Sequence, residues 1–174
     1  MALDVVRLLL FPALMAFAAA SDLLTMTISN RVTLFLIAGF FLIALLSGMS
    51  FHDMMSHAGA GLTVLLVAFT CFAMGWIGGG DAKVASATAL WFGFGHLLEY
   101  LVYASLFGGA LTLLLLQFRQ WPIPALLSRQ DWLLRLHDRN SGIPYGIALA
   151  IGALLVYPET TWITTVDLAR FVAY

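Results

Sequence analysis

Apolar runs the length of a bilayer core follow one another through most of this chain. A lipid core demands roughly 17–25 residues per helical crossing. Runs that meet or approach this length are Leu3–Ala20, Val32–Ser50, His57–Ile77, a shorter Asp81–Gly95, Leu97–Phe118 and Ile143–Tyr157. A water-soluble fold has nowhere to put them. About 62% of the 174 residues are hydrophobic and 10% are charged, against a usual charged share of roughly 25%. The exterior of a soluble domain built from this chain would aggregate. The expected fold is therefore an all-α polytopic membrane protein, one domain over residues 1–174, with about six transmembrane helices. Only "GFGHLLEY" divides the fourth run from the fifth, with His96 and Glu99 as boundary markers.

The stretch from Arg119 to Ser141 is the longest connection. Within it "IPALLSRQDWLLRLHDRN" alternates apolar and charged residues at helical spacing, which predicts an amphipathic helix on the membrane surface in the fifth loop. The tail from Thr160 to Tyr174 is mildly amphipathic and reads as interfacial. Arg31 flanks the first loop, Lys83 the third, and Arg119, Arg129, Arg135 and Arg139 occupy the fifth. Only Arg7 and Arg170 fall on the other side. The positive-inside rule then places loops one, three and five in the cytoplasm. A rival reading takes "LLLFPALMAFAAASD" as a cleaved signal peptide ending at Ala20. Against it, Asp4 offsets Arg7, and cleavage would put Arg31 outside.

Net charge is −1, so no basic surface offers itself to nucleic acid. Cys71 is the single cysteine, which excludes an internal disulfide and a cysteine zinc cluster. His52 and His57 lie five apart, a spacing unsuited to one helix face, and read as a solvated loop with Asp53. Cys71 reads as inert packing, and Trp91, Phe92 and Phe94 as an interfacial aromatic belt. No metal site or cofactor is expected.

Two acids stand apart from this pattern. Asp22 ends the first run and Asp81 begins the fourth, so alternating topology puts both at the cytoplasmic end. An ionisable group at membrane depth is costly and marks function by default. Two facing carboxylates share a proton, so that one can activate water while the other protonates or polarises a carbonyl. Gly78, Gly79 and Gly80 precede Asp81; they permit positive φ and close backbone approach, so a substrate strand could lie beside the acid. The plainer alternative is a helix break with Asp81 as its cap. Lys83 suits a partner for Asp81, a lipid-phosphate contact or a positive-inside anchor.

"GGGDAK" at Gly78–Lys83 resembles the GxGD motif of the type IV prepilin peptidases, intramembrane-type aspartyl proteases. Asp22, followed by "ISN" at Ile28–Asn30, resembles that family's first aspartate and its downstream Ile-Pro-Asn, with Ser29 where the family usually has proline. "GIPYGIALAIG" at Gly142–Gly152 is similar to its Pro-Tyr-Gly segment. The resemblance is to the short members that serve Flp/Tad-type pili. The chain lacks the CxxC-bearing insertion of the longer members, so methyl transfer is not implied.

The resemblance implies Asp22 and Asp81 as the catalytic pair. Gly78, Gly79, Gly80, Lys83, Asn30, Pro144, Tyr145 and Gly146 would be motif or substrate-binding residues. It also implies a prepilin-like substrate, contacts with pilus-assembly machinery, no cofactor and an inner-membrane location. For "IPYG", a helix start with proline in its first turn is a sufficient structural reading. "PAL" occurs at Pro12–Leu14 and Pro124–Leu126, as near the active site of presenilin-like proteases, but Ser21 precedes Asp22 where those have tyrosine, and both copies read as chance. Two other classes fit the bare pattern: a small proton- or cation-coupled transporter using the same aspartates, and a non-catalytic scaffold.

Overall fold

The structure is a computed structural model that describes residues 2–123 and 129–166. Among these residues the fold is all-helical. Helices α1 (Ala2–Thr25), α2 (Asn30–Leu46) and α3 (Phe51–Ala73) precede the 40-residue α4 (Gly79–Phe118). Short α5 (Asp131–His137), α6 (Tyr145–Val156) and α7 (Thr161–Thr164) follow, with a 3-10 turn at Tyr157–Glu159 between the last two.

Among the described residues three helices are long and apolar enough to cross a membrane: Leu3–Thr25, Phe51–Ala73 and Gly79–Phe118. Asn30–Leu46 and Tyr145–Glu159 are apolar but shorter. Leu34, Phe35, Leu66, Val67, Leu113 and Leu114 are each more than half exposed, as side chains facing lipid are. This is the surface of a membrane protein.

Helix α4 absorbs the fourth and fifth apolar runs. A straight helix of that length would extend about 60 Å, twice a bilayer core of about 30 Å. It does not run straight. Gly93 has φ 58° and ψ −173°, outside helical space and accessible to glycine. The ring centroids of Phe92 and Tyr100 lie 5.2 Å apart. On a straight helix, residues 92 and 100 would be separated by about 12 Å. The chain therefore folds back at Gly93, the first residue of "GFGHLLEY". His96 and Glu99, expected in a loop, lie instead in the helix after the reversal.

Two tied ends set the direction of the bundle. At one, Tyr157 Oη donates to Arg7 O at 2.6 Å and Arg7 Nε to Ser47 Oγ at 3.2 Å. There Phe11, Phe40, Trp91, Tyr157 and Trp162 form an aromatic core. Trp91 Nε1 donates to Leu36 O at 2.9 Å, and Trp162 Nε1 to Trp91 O at 2.7 Å. Lipid tails are as apolar as these rings, so packing and satisfied N–H groups carry the association. The expected aromatic belt is corrected here: Trp91 and Phe92 are buried core residues, and only Phe94 is exposed. So is the histidine loop. His52 and His57 lie in the first turns of α3, and His57 stacks on Phe40 with Nδ1 2.8 Å from Leu90 O.

Small residues set close helix contacts. A Cβ on Gly152 of α6 would lie 2.8 Å from the backbone nitrogen of Ala104, so α6 meets the second arm of α4 backbone to backbone. In the long connection, α5 is docked by Arg135 Nη2 donating to Leu24 O at 2.7 Å. Residues 124–128 of the amphipathic stretch, which include the second "PAL", and the tail beyond 166 lie outside the described residues. The first "PAL" is interior to α1, where Pro12 is tolerated within a long helix.

Candidate active site

Asp22 sits in the last turn of α1, and the turn that follows is built from its neighbours. Ser21 Oγ donates to Thr27 O at 2.9 Å, and Thr25 Oγ1 to Ser21 O at 2.7 Å. Met26 N donates to Asp22 O at 2.8 Å, and Met26 takes φ 54°, ending the helix in the left-handed region. Ser29 then caps α2, its side chain accepting from Arg31 N, which places Asn30 at the first position of that helix. Serine in place of the family's proline thus still starts the helix on time.

Asp81 stands in the first turn of α4, whose cap is the extended Gly78. The glycines before it serve by lack of bulk. None of Gly78, Gly79 and Gly80 has a positive φ; in this loop only Gly75 does, at 76°. A Cβ on Gly78 would lie 2.8 Å from Asp81 Oδ2, one on Gly79 3.2 Å from the Phe72 ring, and one on Gly80 3.4 Å from Ile28 Cβ. The Asp81 carboxylate folds back over bare backbone, and the Gly80 turn packs on Ile28 beyond Asp22.

The third segment completes the site. Gly146 N donates to Asp22 Oδ2 at 2.7 Å. A Cβ there would lie 2.8 Å from that oxygen and 2.8 Å from Ile28 Cδ1. Pro144 is buried at the start of α6, and the Tyr145 ring packs on Gly108 with its hydroxyl 3.1 Å from Thr112 Oγ1. Buried Arg119 fixes the approach to this segment, with Nε donating to Leu136 O and Nη2 to Gly142 O, both at 2.8 Å. Sequence reading took Arg119 only as a topology signal. Nothing in the local pattern separates it from the other arginines of that connection.

Lys83 turns to α2, where its Nζ donates to Asn30 Oδ1 at 2.9 Å, and not to Asp81. Two cavities open at this end, of about 300 and 370 Å³, and both are lined by Asp22, Met26, Gly78 and Asp81. The first also has Asn30 and Lys83; the second has Trp76, Ile77, Ile143 and Tyr145. The residues that the resemblance marked as catalytic or motif residues thus come to one end of the bundle. Ile28, the first residue of the "ISN" match, is with them; Met26, Trp76 and Ile77 join too, and only their closeness in sequence to the two acids hinted at that. Among the described residues no cluster of three or more His, Cys, Asp or Glu could hold a metal ion.

Two acids from separate helices, opening on shared cavities at one end of a membrane bundle, define a carboxylate-pair site. Residues 9–113 match the type IV leader peptidase family, and the chain belongs to that family. This is a peptidase family acting on prepilin-type substrates, so the transporter alternative is not favoured. The match ends before the Pro144–Gly146 segment. No curated protein and no solved structure matches the chain.

Proposed function

We propose that the protein is an aspartic endopeptidase of the bacterial inner membrane that removes the cytosolic leader of a prepilin-like substrate, of the short Flp/Tad type. The observation that carries this reading is the opening of Asp22 and Asp81 onto the same two cavities, in a chain of the leader peptidase family. The bundle would cross the membrane six times, counting the two arms of α4 separately, with the acids at the cytoplasmic face.

In this reading the substrate's apolar helix lies in the membrane and the scissile bond sits at the boundary, where water reaches the acids. One ionised carboxylate takes a proton from water as the oxygen attacks the peptide carbonyl. The other, protonated, gives its proton to the carbonyl oxygen. Collapse of the tetrahedral intermediate breaks the C–N bond, and the amine leaves with a proton returned by the pair. Gly146 N–H, bonded to Asp22 Oδ2, holds that carboxylate in one orientation throughout.

Purified protein incubated with a candidate prepilin tests this. The wild type is expected to release the leader. Asp22→Asn and Asp81→Asn each keep the side-chain shape and are expected to lose about 10³-fold or more in rate, while still inserting into the membrane. Undiminished cleavage by either variant rules out the carboxylate pair.

A further inference from the structure

The end of the bundle opposite the acids holds a cavity of about 420 Å³ that the peptidase reading does not use. It opens where α4 reverses at Gly93. Asp53, Ser56, His57, His96 and Thr161 supply its polar wall, and Phe94 and Trp162 its aromatic wall. No lysine or arginine stands among the described lining residues. Its volume falls within the range of small-ligand pockets, about 300–1,000 Å³.

The two imidazoles are fixed in the same sense. His57 Nδ1 lies 2.8 Å from Leu90 O, and His96 Nδ1 lies 3.5 Å from Glu99 Oε2. Carbonyl and carboxylate oxygens only accept, so each Nδ1 carries its ring's proton. Each neutral ring then has Nε2 as its acceptor. His57 Nε2 lies over Gly93, where a Cβ would sit 2.9 Å from it. Asp53 adds a negative charge: its Oδ2 accepts from Ser50 Oγ at 2.7 Å, and its Oδ1 lies 3.7 Å from the exposed His52. The wall is therefore rich in acceptors, and its two hydroxyls can turn to accept as well. A primary ammonium matches such a set, because it has three donors and no acceptor. Aromatic faces attract it further.

We propose that this cavity binds a primary ammonium group, carried by the ethanolamine headgroup of a phospholipid or by a small free amine. The surroundings favour the lipid. Phe94 lines the cavity and is 54% exposed, and Leu98, about one turn on, is 75% exposed. Acyl chains lie along that face of the second arm of α4 while the headgroup turns in beside Gly93. A choline headgroup is discriminated against, since its quaternary nitrogen has no N–H for the two Nε2 acceptors. A glycerol headgroup brings no cation for Asp53. The inference is independent of the peptidase reading, because binding is read without cleavage.

The test mixes full-length protein in detergent with equimolar dioleoyl phosphatidylethanolamine, phosphatidylcholine and phosphatidylglycerol, and counts retained lipid by native mass spectrometry. The ethanolamine lipid is expected to be retained about fivefold over each of the others, the size of one favourable exposed charge pair. Asp53→Asn keeps the shape of an exposed side chain, and His96→Phe keeps a flat ring. Each is expected to bring the three lipids towards parity. Asp22→Asn/Asp81→Asn is expected to leave the preference intact. A preference that survives both cavity substitutions, or that disappears only with the acid pair, overturns the proposal. Free ethanolamine in excess separates the two sources. If it leaves the lipid preference unchanged, the ligand is the lipid. If it abolishes that preference, or raises the melting temperature of the wild type and not of Asp53→Asn, the ligand is a small amine. Lipid parity in the wild type with no such rise overturns the proposal.

Discussion

At Gly146 the space for one methyl group is already filled by Asp22. The amide donates to Asp22 Oδ2 at 2.7 Å, and an added Cβ would press on the same oxygen. Gly146→Ala is expected to push the carboxylate out of line and cost about 10²-fold in kcat, the order set by an ångström-scale misplacement. Steady-state cleavage of a prepilin, with folding checked by size-exclusion elution, measures it. Met26 gives the opposite kind of prediction. Its φ of 54° is a left-handed conformation that costs a side-chain-bearing residue about 1 kcal/mol. Met26→Gly is expected to raise the melting temperature and to weaken substrate binding, because the side chain lines both cavities. Thermal unfolding and KM separate the two effects. At this scale the acids and their motif neighbours were legible in sequence, because charge is so rare in this chain that each acid in an apolar run is conspicuous. The work of the glycines was not. Both positive φ and tight approach call for glycine, and only coordinates distinguish them.

Among the elements, α4 depends most on a single residue. Gly93 combines φ 58° with ψ −173°, and a Cβ there would also lie 2.9 Å from His57 Nε2. Gly93→Ala is expected to destabilise the fold by about 1–3 kcal/mol, read as a lowered melting temperature in micelles. Gly152→Leu is expected to cost at least as much by forcing α6 away from Ala104, since overpacking a tight contact costs about 1–3 kcal/mol and the obstacle here is backbone. Hydropathy located every apolar run but divided α4 at the wrong kind of feature. The polar His96 and Glu99 drew attention, whereas a glycine conformation makes the turn. Trp91 and Phe92 were misread for a related reason. Aromatic residues near a run's end suit the lipid interface on composition alone, and composition carries no sign of Trp162 folding back onto Trp91 or of Phe11 and Tyr100 enclosing Phe92.

For the molecule as a whole, the account comes down to convergence. Helices α1, α2, α4 and α6 bring their site ends together, tied by Gly146 to Asp22, Lys83 to Asn30 and Arg135 to Leu24. Alternation of apolar runs already placed both acids at one end. That they open on common cavities, with Ile28 as the packing wedge between their loops, needed the structure. The contact of Ile28 with Gly80 tests it most directly. A Cβ on Gly80 would lie 3.4 Å from Ile28 Cβ, close to the separation of about 3.8 Å that a disulfide spans. In a Cys71→Ser background, Ile28→Cys/Gly80→Cys is expected to form an intramolecular disulfide on mild oxidation in native membranes, read by mass spectrometry of the linked peptides. Two thiols that both remain open to alkylation, with no linked peptide after oxidation, would contradict the meeting of the two acid-bearing loops.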